Sequence, residues 1–461
     1  MELATSQTRL SQALVPGNDT LLELHERHPD RYPVLLESIG GGAAIGQHDL
    51  LLALPGERLT LTGNLRLEGE RARSDHRFLA ALDDWFRDER SSTGSSSLPF
   101  AGGWFLYLGY ELAGQVEPSL RLPRSPRATA LAWRMRGAIV RDREQGRAWM
   151  VAEPGVARAF EEAVERDLAE LSFRGPRPSA DGPAVRGAVR EEYPARYLRV
   201  VEAALEAIGR GDVYQANLSR HWGAELAPGV DEAELYRRLR DANPAPFAGI
   251  ARLPGFSVLS SSPERLLRIQ DGIASTRPIA GTRPRGRDAR SDAQLRTDLR
   301  LNEKEQAEHV MLVDLERNDL GRICRAGSVR VDEYMTIESY AHVHHIVSNV
   351  RGELADDVTP GRAIAAVFPG GTITGCPKVR CMQLLADLEA GPRDAYTGSM
   401  GYLSVDGTLD LNILIRTITV EGGAIEFRTG AGIVADSSPI AELEETRAKA
   451  RGLLRALGSN G

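Results

Sequence analysis

Between Arg174 and Gly187 the chain reads RGPRPSADGPAVRG, rich in Pro, Gly and Arg and almost free of large apolar side chains. Proline lacks a backbone donor and breaks helices, and glycine favours turns, so no regular element can run through such a stretch. It predicts a linker or crossing loop over 174–187, setting an N-terminal lobe, 1–173, against a second part, 188–461. A length of 461 residues admits up to about three ordinary domains, although a single large α/β body or two fused lobes fits equally well.

The periodicity on both sides is mixed. Short alternating segments, Leu59–Leu65 and Ala148–Ala152, occur among Gly-rich turns, and the run Ser91–Ser97 reads as an exposed loop. Beyond the break, Tyr197–Arg210 places Leu198, Val201, Ala204, Leu205 and Ile208 at helical spacing, with Gly211 where a C-terminal cap belongs. Alternation predicts strands at Ser257–Ser262, Leu409–Val420 and Ala424–Thr429, and Glu303–Leu315 and Pro439–Leu457 read as helices. The fold class is therefore α/β.

Composition excludes several functions. With 42% hydrophobic and 26% charged residues the chain is globular in character, and no run approaches the roughly 18 apolar residues of a membrane span. A net charge of -7 argues against a nucleic-acid footprint, so a small molecule or another protein is the expected partner. Met1–Pro16 has no basic segment followed by an apolar run and does not read as a secretory signal. Cys324, Cys376 and Cys381 offer no metal-type pairing beyond one C-x4-C, which suits free thiols in a reducing, cytoplasmic setting.

Carboxylates then draw notice. Asn302 is a plausible N-cap, and Glu305 and Glu308, three residues apart, project from one face of the helix that follows. Taken alone, the pair also fits a solvated acidic face. The spacing recurs in Ser438-Pro439-Ile440-Ala441-Glu442-Leu443-Glu444-Glu445, where serine before proline marks a helix start and Glu442 and Glu445 form the pair. Two such helices, if they meet, could hold Mg²⁺, which takes a few oxygen ligands, retained waters and an anionic substrate. Just before the second helix, Gly430-Ala431-Gly432 would let backbone N–H groups approach an anion. Neither this triplet nor Phe368–Lys378 (FPGGTITGCPK) completes a dinucleotide or P-loop motif, and the latter also fits a turn into a Pro-started helix. His345 faces opposite to His344 in an alternating segment, as a core histidine or a catalytic one. Glu264, after an apparent strand, is either a turn carboxylate or a general acid held in a dry cleft.

Together these segments closely resemble the chorismate-utilising enzymes: anthranilate synthase component I, aminodeoxychorismate synthase component I, isochorismate synthase and salicylate synthase. The resemblance rests on DVYQANLSR (Asp212–Arg220), SSPERLL (Ser261–Leu267), TRPIAGTRPRG (Thr276–Gly286), NEKEQAEHVMLVDLERNDLGR (Asn302–Arg322), AHVHHIVSNVRG (Ala341–Gly352), FPGGTITGCPK, IRT (Ile415–Thr417) and GAGIVADSSPIAELEET (Gly430–Thr446). PFAGGWFLYLGYEL (Pro99–Leu112) extends it into the N-terminal lobe. It implies a large fold with a central β-sandwich and outer helices, the N-terminal part packed on the chorismate-binding catalytic part. It implies that Glu308 and Glu445 bind Mg²⁺, supported by Glu305 and Glu442, with the metal on the ring carboxylate of chorismate. Glu264 would be the general acid for the C4 hydroxyl, and His345 and Thr372 would orient the ring. Tyr396, Arg416, Gly430, Ala431, Gly432 and Lys449 would hold the enolpyruvyl carboxylate.

Within the family, isochorismate and salicylate synthases resemble each other in a water-activating lysine at the position of Gln215 here. Glutamine cannot act as that base, so an ammonia-using member is implied. In the motif carrying Ala280, Gly281 and Thr282, better-known aminodeoxychorismate synthases have a nucleophilic lysine where Ala280 stands, which favours anthranilate synthase. YQANLS (Tyr214–Ser219), NPAPF (Asn243–Phe247) and TITG (Thr372–Gly375) resemble the aminodeoxychorismate type instead. The expectation is the chorismate-aminating subunit of such a synthase, working through noncovalent 2-amino-2-deoxyisochorismate towards 4-aminobenzoate and folate. Anthranilate synthase component I is the alternative, and a non-catalytic amidotransferase scaffold a lesser one. No G-x-C-x-G nucleophile elbow occurs, so a separate glutamine amidotransferase subunit would supply ammonia. Leu35–Ser38 resembles half of a tryptophan-feedback site; with the other half altered, no tryptophan inhibition is expected.

Overall fold

The computed structural model describes residues 6–9, 19–40, 47–73, 77–91, 98–174, 182–340 and 343–459. Residues 92–97 of the serine run, the middle of the expected linker (175–181), most of Met1–Pro16 and His342 lie outside them.

The strands are joined through a continuous ladder that forms two layers. In one layer, Gln215–Glu225 pairs with Ala424–Ile433, which is followed laterally by Thr417–Glu421, Phe256–Ser262, Phe247–Leu253 and Val34–Glu37. In the other, Gly103–Leu108 pairs with Ser399–Ser404, then Leu409–Asn412, Arg265–Gln270, Ile273–Arg277 and Val343–Glu353. Two long strands, His48–Leu61 and Ala130–Asp142, run through both, their register slipping between Pro55 and Arg58. Such a bulge sharpens local twist and lets one strand serve two layers.

Side-chain alternation explains why the layers face each other. Val34, Leu50, Leu52, Phe105, Tyr107, Ala251, Val258 and Met400 form the core between them. The intervening residues point outward: Leu35, Leu51 and Ala53 into one apolar cluster, Trp104, Leu106 and Leu108 into another. Helices cover each outer face. Thr20–Arg27, Glu232–Ala242 and Pro439–Ala456 contribute to the first cluster, and Phe78–Glu89, Glu303–Gly321 and Pro360–Val367 to the second. The result is the expected sandwich with outer helices, and strands from either side of 174–187 are hydrogen-bonded neighbours within it.

Several elements differ in extent from the sequence reading. The helix expected over Tyr197–Arg210 is Pro194–Gly209, with Gly211 at φ 78° beyond its end. The helix from Glu303 continues past Leu315 to Gly321, and the alternation at Leu59–Leu65 stops at Leu61. The single strand read over Leu409–Val420 is two, Leu409–Asn412 and Thr417–Glu421. It breaks where Arg416 adopts φ 52°, a left-handed conformation that costs a non-glycine residue about 1 kcal/mol and cannot continue a strand.

Candidate active site

Antiparallel register gathers the singled-out residues at one end of the first layer. Glu264 follows Phe256–Ser262 by two residues, Arg416 immediately precedes Thr417–Glu421, Gly430 and Gly432 end Ala424–Ile433, and Gln215 begins Gln215–Glu225. The pairings Ser260↔Thr417 and Ile433↔Ala216 place all four at the same edge.

Gly430–Gly432 continues the strand expected over Ala424–Thr429, which runs to Ile433. Strand geometry fixes where its backbone donors point. In a strand, the N–H and C=O of one residue point to the same side. Gly430 O accepts from Lys449 Nζ at 3.0 Å, away from the partner strand, so the N–H groups of Gly430 and Gly432 face the open edge, whereas Ala431 turns its side chain into the core. A Cβ on Gly430 would lie 2.5 Å from the Tyr396 hydroxyl, and one on Gly432 2.6 Å from Gln215 Nε2. Only glycine lets these two side chains reach the strand.

Glu264 is 4% exposed, and burial raises its carboxyl to about 8 despite the Thr372 hydroxyl, the Ile279 N–H and Lys449, which favour the anion. The Ile279 contact is long, 3.5 Å, and Thr372 Oγ1 makes no hydrogen bond of normal geometry; desolvation prevails. Arg416 has no carboxylate within salt-bridge distance among the described residues, and burial lowers its guanidinium pKa. A desolvated, unpaired cation is costly unless an anion arrives.

Across the cleft, Gly281 (φ 64°) bulges from Ile279–Pro284, and the shift in register places Thr282 opposite His345. Buried Ala280 presents no nucleophile beside them. His345 Nδ1 lies 2.9 Å from Thr282 Oγ1 and 3.4 Å from Gly281 O. A carbonyl only accepts, so the proton belongs on Nδ1 and the buried, unpartnered Nε2 is an acceptor. Burial lowers this imidazole to about 3, with nearby Arg416 in the same sense, and keeps it neutral. His344 faces the opposite way, bonded to Ser339 and Asp292.

The two acidic helix starts meet. Asn302 caps its helix by accepting the Glu305 N–H at 3.0 Å, and Pro439 opens the other helix. Lys304 and Asp436 tie the starts together at 3.1 Å. Burial, then Glu305 and Glu445, raise Glu308, whose carboxylate accepts from Gln215 Nε2 at 3.0 Å. Glu305 is paired with Arg283 and Glu445 with Lys449, while Glu442 Oε2 is buried without a partner. Among the described residues no three acidic, His or Cys side chains form a closed metal cage. A divalent ion that keeps waters and shares an anionic substrate needs no such cage, and four carboxylates with one orphaned oxygen suit it.

The sequence reading missed Glu316, 6% exposed, and the buried ion pair of Asp319 with Lys378. The signal was available: His309, Leu312, Val313, Glu316, Asp319 and Leu320 follow helical spacing, so the acids interrupt an otherwise inward stripe. A separate cavity of about 370 Å³ lies elsewhere, lined among others by Leu36, Glu37, Ser38, Pro246, Phe247 and Ala248. Both Leu35–Ser38 and the NPAPF segment therefore border one space.

Comparison with known proteins agrees with this geometry. The model of the chorismate binding enzyme family matches residues 47–455. Aminodeoxychorismate synthase component 1 of Bacillus subtilis is 37% identical over 451 residues, covering 95% of each chain. Anthranilate synthase component 1 of Thermus thermophilus is 42% identical over 365 residues, 78% of each. Among solved structures, anthranilate synthase component I from Streptococcus pneumoniae superposes with a TM-score of 0.78 at 30% identity, covering 96% of this chain and 99% of that one. MenF, an isochorismate synthase of Escherichia coli, shares the fold at a TM-score of 0.72 and 19% identity, over 99% of this chain and 94% of that one. The chain belongs to the chorismate binding enzyme family.

Proposed function

We propose that the chain is the chorismate-aminating subunit of an aminodeoxychorismate synthase, making 4-amino-4-deoxychorismate from chorismate and glutamine-derived ammonia. The observation that carries amination is Gln215: its amide sits on Glu308 at the cleft edge and cannot deprotonate water, whereas ammonia needs no base to be a nucleophile. The YQANLS, NPAPF and TITG segments, and likeness to the Bacillus subtilis synthase over nearly all of both chains, support the 4-amino product.

In this reading Arg416, the Gly430 and Gly432 N–H groups, Tyr396 and Lys449 receive the enolpyruvyl carboxylate, with guanidinium offering bidentate contact. Glu308 and Glu445, with Glu305 and Glu442 beside them, would hold Mg²⁺, whose chemistry is neutralisation of the ring carboxylate. Neutral His345 accepts from a ring substituent through Nε2, and Thr372 orients the ring with it. Glu264 gives its proton to the departing C4 hydroxyl, released as water as ammonia's lone pair bonds to C2 and the ring double bonds shift. Because Ala280 offers no nucleophile, the C2 amine is held noncovalently until a second ammonia at C4 expels it. Two glutamines are then hydrolysed per product, and a ratio of one would sink this route.

Ala280 favours a second reading, anthranilate synthase, in which the same intermediate loses pyruvate. Purified chain with chorismate, Mg²⁺ and ammonium, resolved by mass-detected chromatography with and without aminodeoxychorismate lyase, separates them. Lyase-dependent 4-aminobenzoate is expected; direct 2-aminobenzoate would assign the other branch. A separate amidotransferase partner and a cytoplasmic location accompany this proposal, supported by three free cysteines and, in relatives, the name component 1.

A further inference from the structure

Glu316 is a buried carboxyl that the proposed reaction leaves unused, and its charge acts on Glu264. It projects inward from Glu303–Gly321 and carries no salt bridge among the described residues. The turn Gly371–Ile373 lies between the two acids: a Cβ on Gly371 would be 3.4 Å from Glu316 Oε1, and the next residue, Thr372, faces Glu264. Gly371 thus borders one carboxyl and Thr372 the other.

The surrounding charges leave this pair uncompensated. Glu316 is faced by Asp319, Lys378 and Glu264, but the Lys378 ammonium is committed to Asp319 and, at 3.2 Å, to Val367 O. Glu264 is faced by Lys449, itself paired with Glu445, and by Arg416, the proposed anchor of a substrate carboxylate. Two like charges this deep in the protein cannot both ionise near neutrality, and protons leave them in coupled steps. Burial raises both carboxyls, but Lys378 and the Gly371 N–H favour the Glu316 anion, whereas the donors nearest Glu264 are long or misaligned, so the first proton leaves Glu316 and the second is retained on Glu264.

We propose that Glu316 is a positioning residue that holds Glu264 in its proton-donating form across the Gly371–Ile373 turn. The inference rests on the reading of Glu264 as the general acid. It accounts for a buried carboxylate without a salt bridge on the inward stripe of that helix, where an isolated charge would only be a burden.

The test compares full-length wild type with E316Q, E316D and E264Q at saturating chorismate and Mg²⁺, with free ammonia held constant across pH. E316Q removes the repelling charge, so the alkaline limb of kcat is expected to move down by about one pH unit, about fivefold less turnover at pH 8. Turnover at pH 6 and KM change little, and E316D, which keeps a carboxyl and controls for folding, restores the limb. An unmoved limb, or a loss equal at every pH, overturns the proposal. Carbon NMR titration of Glu264 in chain labelled at the glutamate carboxyl, assigned with E264Q, reads the coupling without turnover. Its midpoint is expected to fall in E316Q. An unchanged midpoint with E264Q inactive overturns this proposal alone, whereas full turnover by E264Q overturns the general-acid reading on which it rests.

Discussion

At Glu264 a glutamate holds its proton to about 8 because desolvation outweighs the donors around it. E264Q keeps the shape and removes the transferable proton, so kcat with ammonium is expected to fall about 10²- to 10⁴-fold with KM within a few fold; steady-state kinetics decides it. Arg416 makes a different demand, since its buried guanidinium forms no salt bridge among the described residues. R416K retains a charge and loses the fork, and KM for chorismate is expected to rise about tenfold or more, roughly 1.4 kcal/mol, with a smaller effect on kcat. Residue types and spacings were enough to nominate both. Nothing in the sequence shows that Glu305 is held by Arg283 or that Glu442 Oε2 is orphaned, because those partners come from other elements.

Helix starts were the most legible elements. Asn302 and Ser438-Pro439 are local signals, and caps act within one turn, so no distant contact was needed to read them. N302A removes the acceptor of the Glu305 N–H and is expected to cost about 1 kcal/mol, measured as a lower urea midpoint with unchanged slope. Because Glu305 and Glu308 occupy the first two turns of that helix, weaker Mg²⁺ binding by calorimetry should accompany the loss. Strand ends were less legible. The break at 413–416 is set by the left-handed turn at Arg416, and alternation across it looks uninterrupted in sequence.

Across the whole molecule, buried titratable groups set opposing slopes of stability with pH. His25, His309 and His345 are held down to about 3, 4 and 3, against an ordinary 6.5, so the unfolded chain binds their protons first and stability falls with increasing acidity. Glu37, Glu111, Glu264 and Glu316 are held up to about 7, 8, 8 and 7, against 4.5; the folded chain keeps their protons, and stability falls as pH rises towards 8. Between about pH 4.5 and 6.5 the two sets oppose each other, the glutamates prevailing slightly. Calorimetry is expected to show a shallow decline of Tm there and a steeper drop, of several degrees, by pH 8.5; a Tm that climbs from pH 6.5 to 8.5 would contradict these assignments. Sequence alone determined the fold class, the helix starts, the membership implied by ordered motifs and most of the residues now seen in the cleft. Those properties are carried by local spacing and residue chemistry. Tertiary structure decided that the two acidic helix starts meet, that strands from both sides of 174–187 share a sandwich, and that the charge of Glu316 reaches Glu264. Long-range register and burial are properties of the packed chain, and no local pattern encodes which distant residue will supply a partner or withhold water.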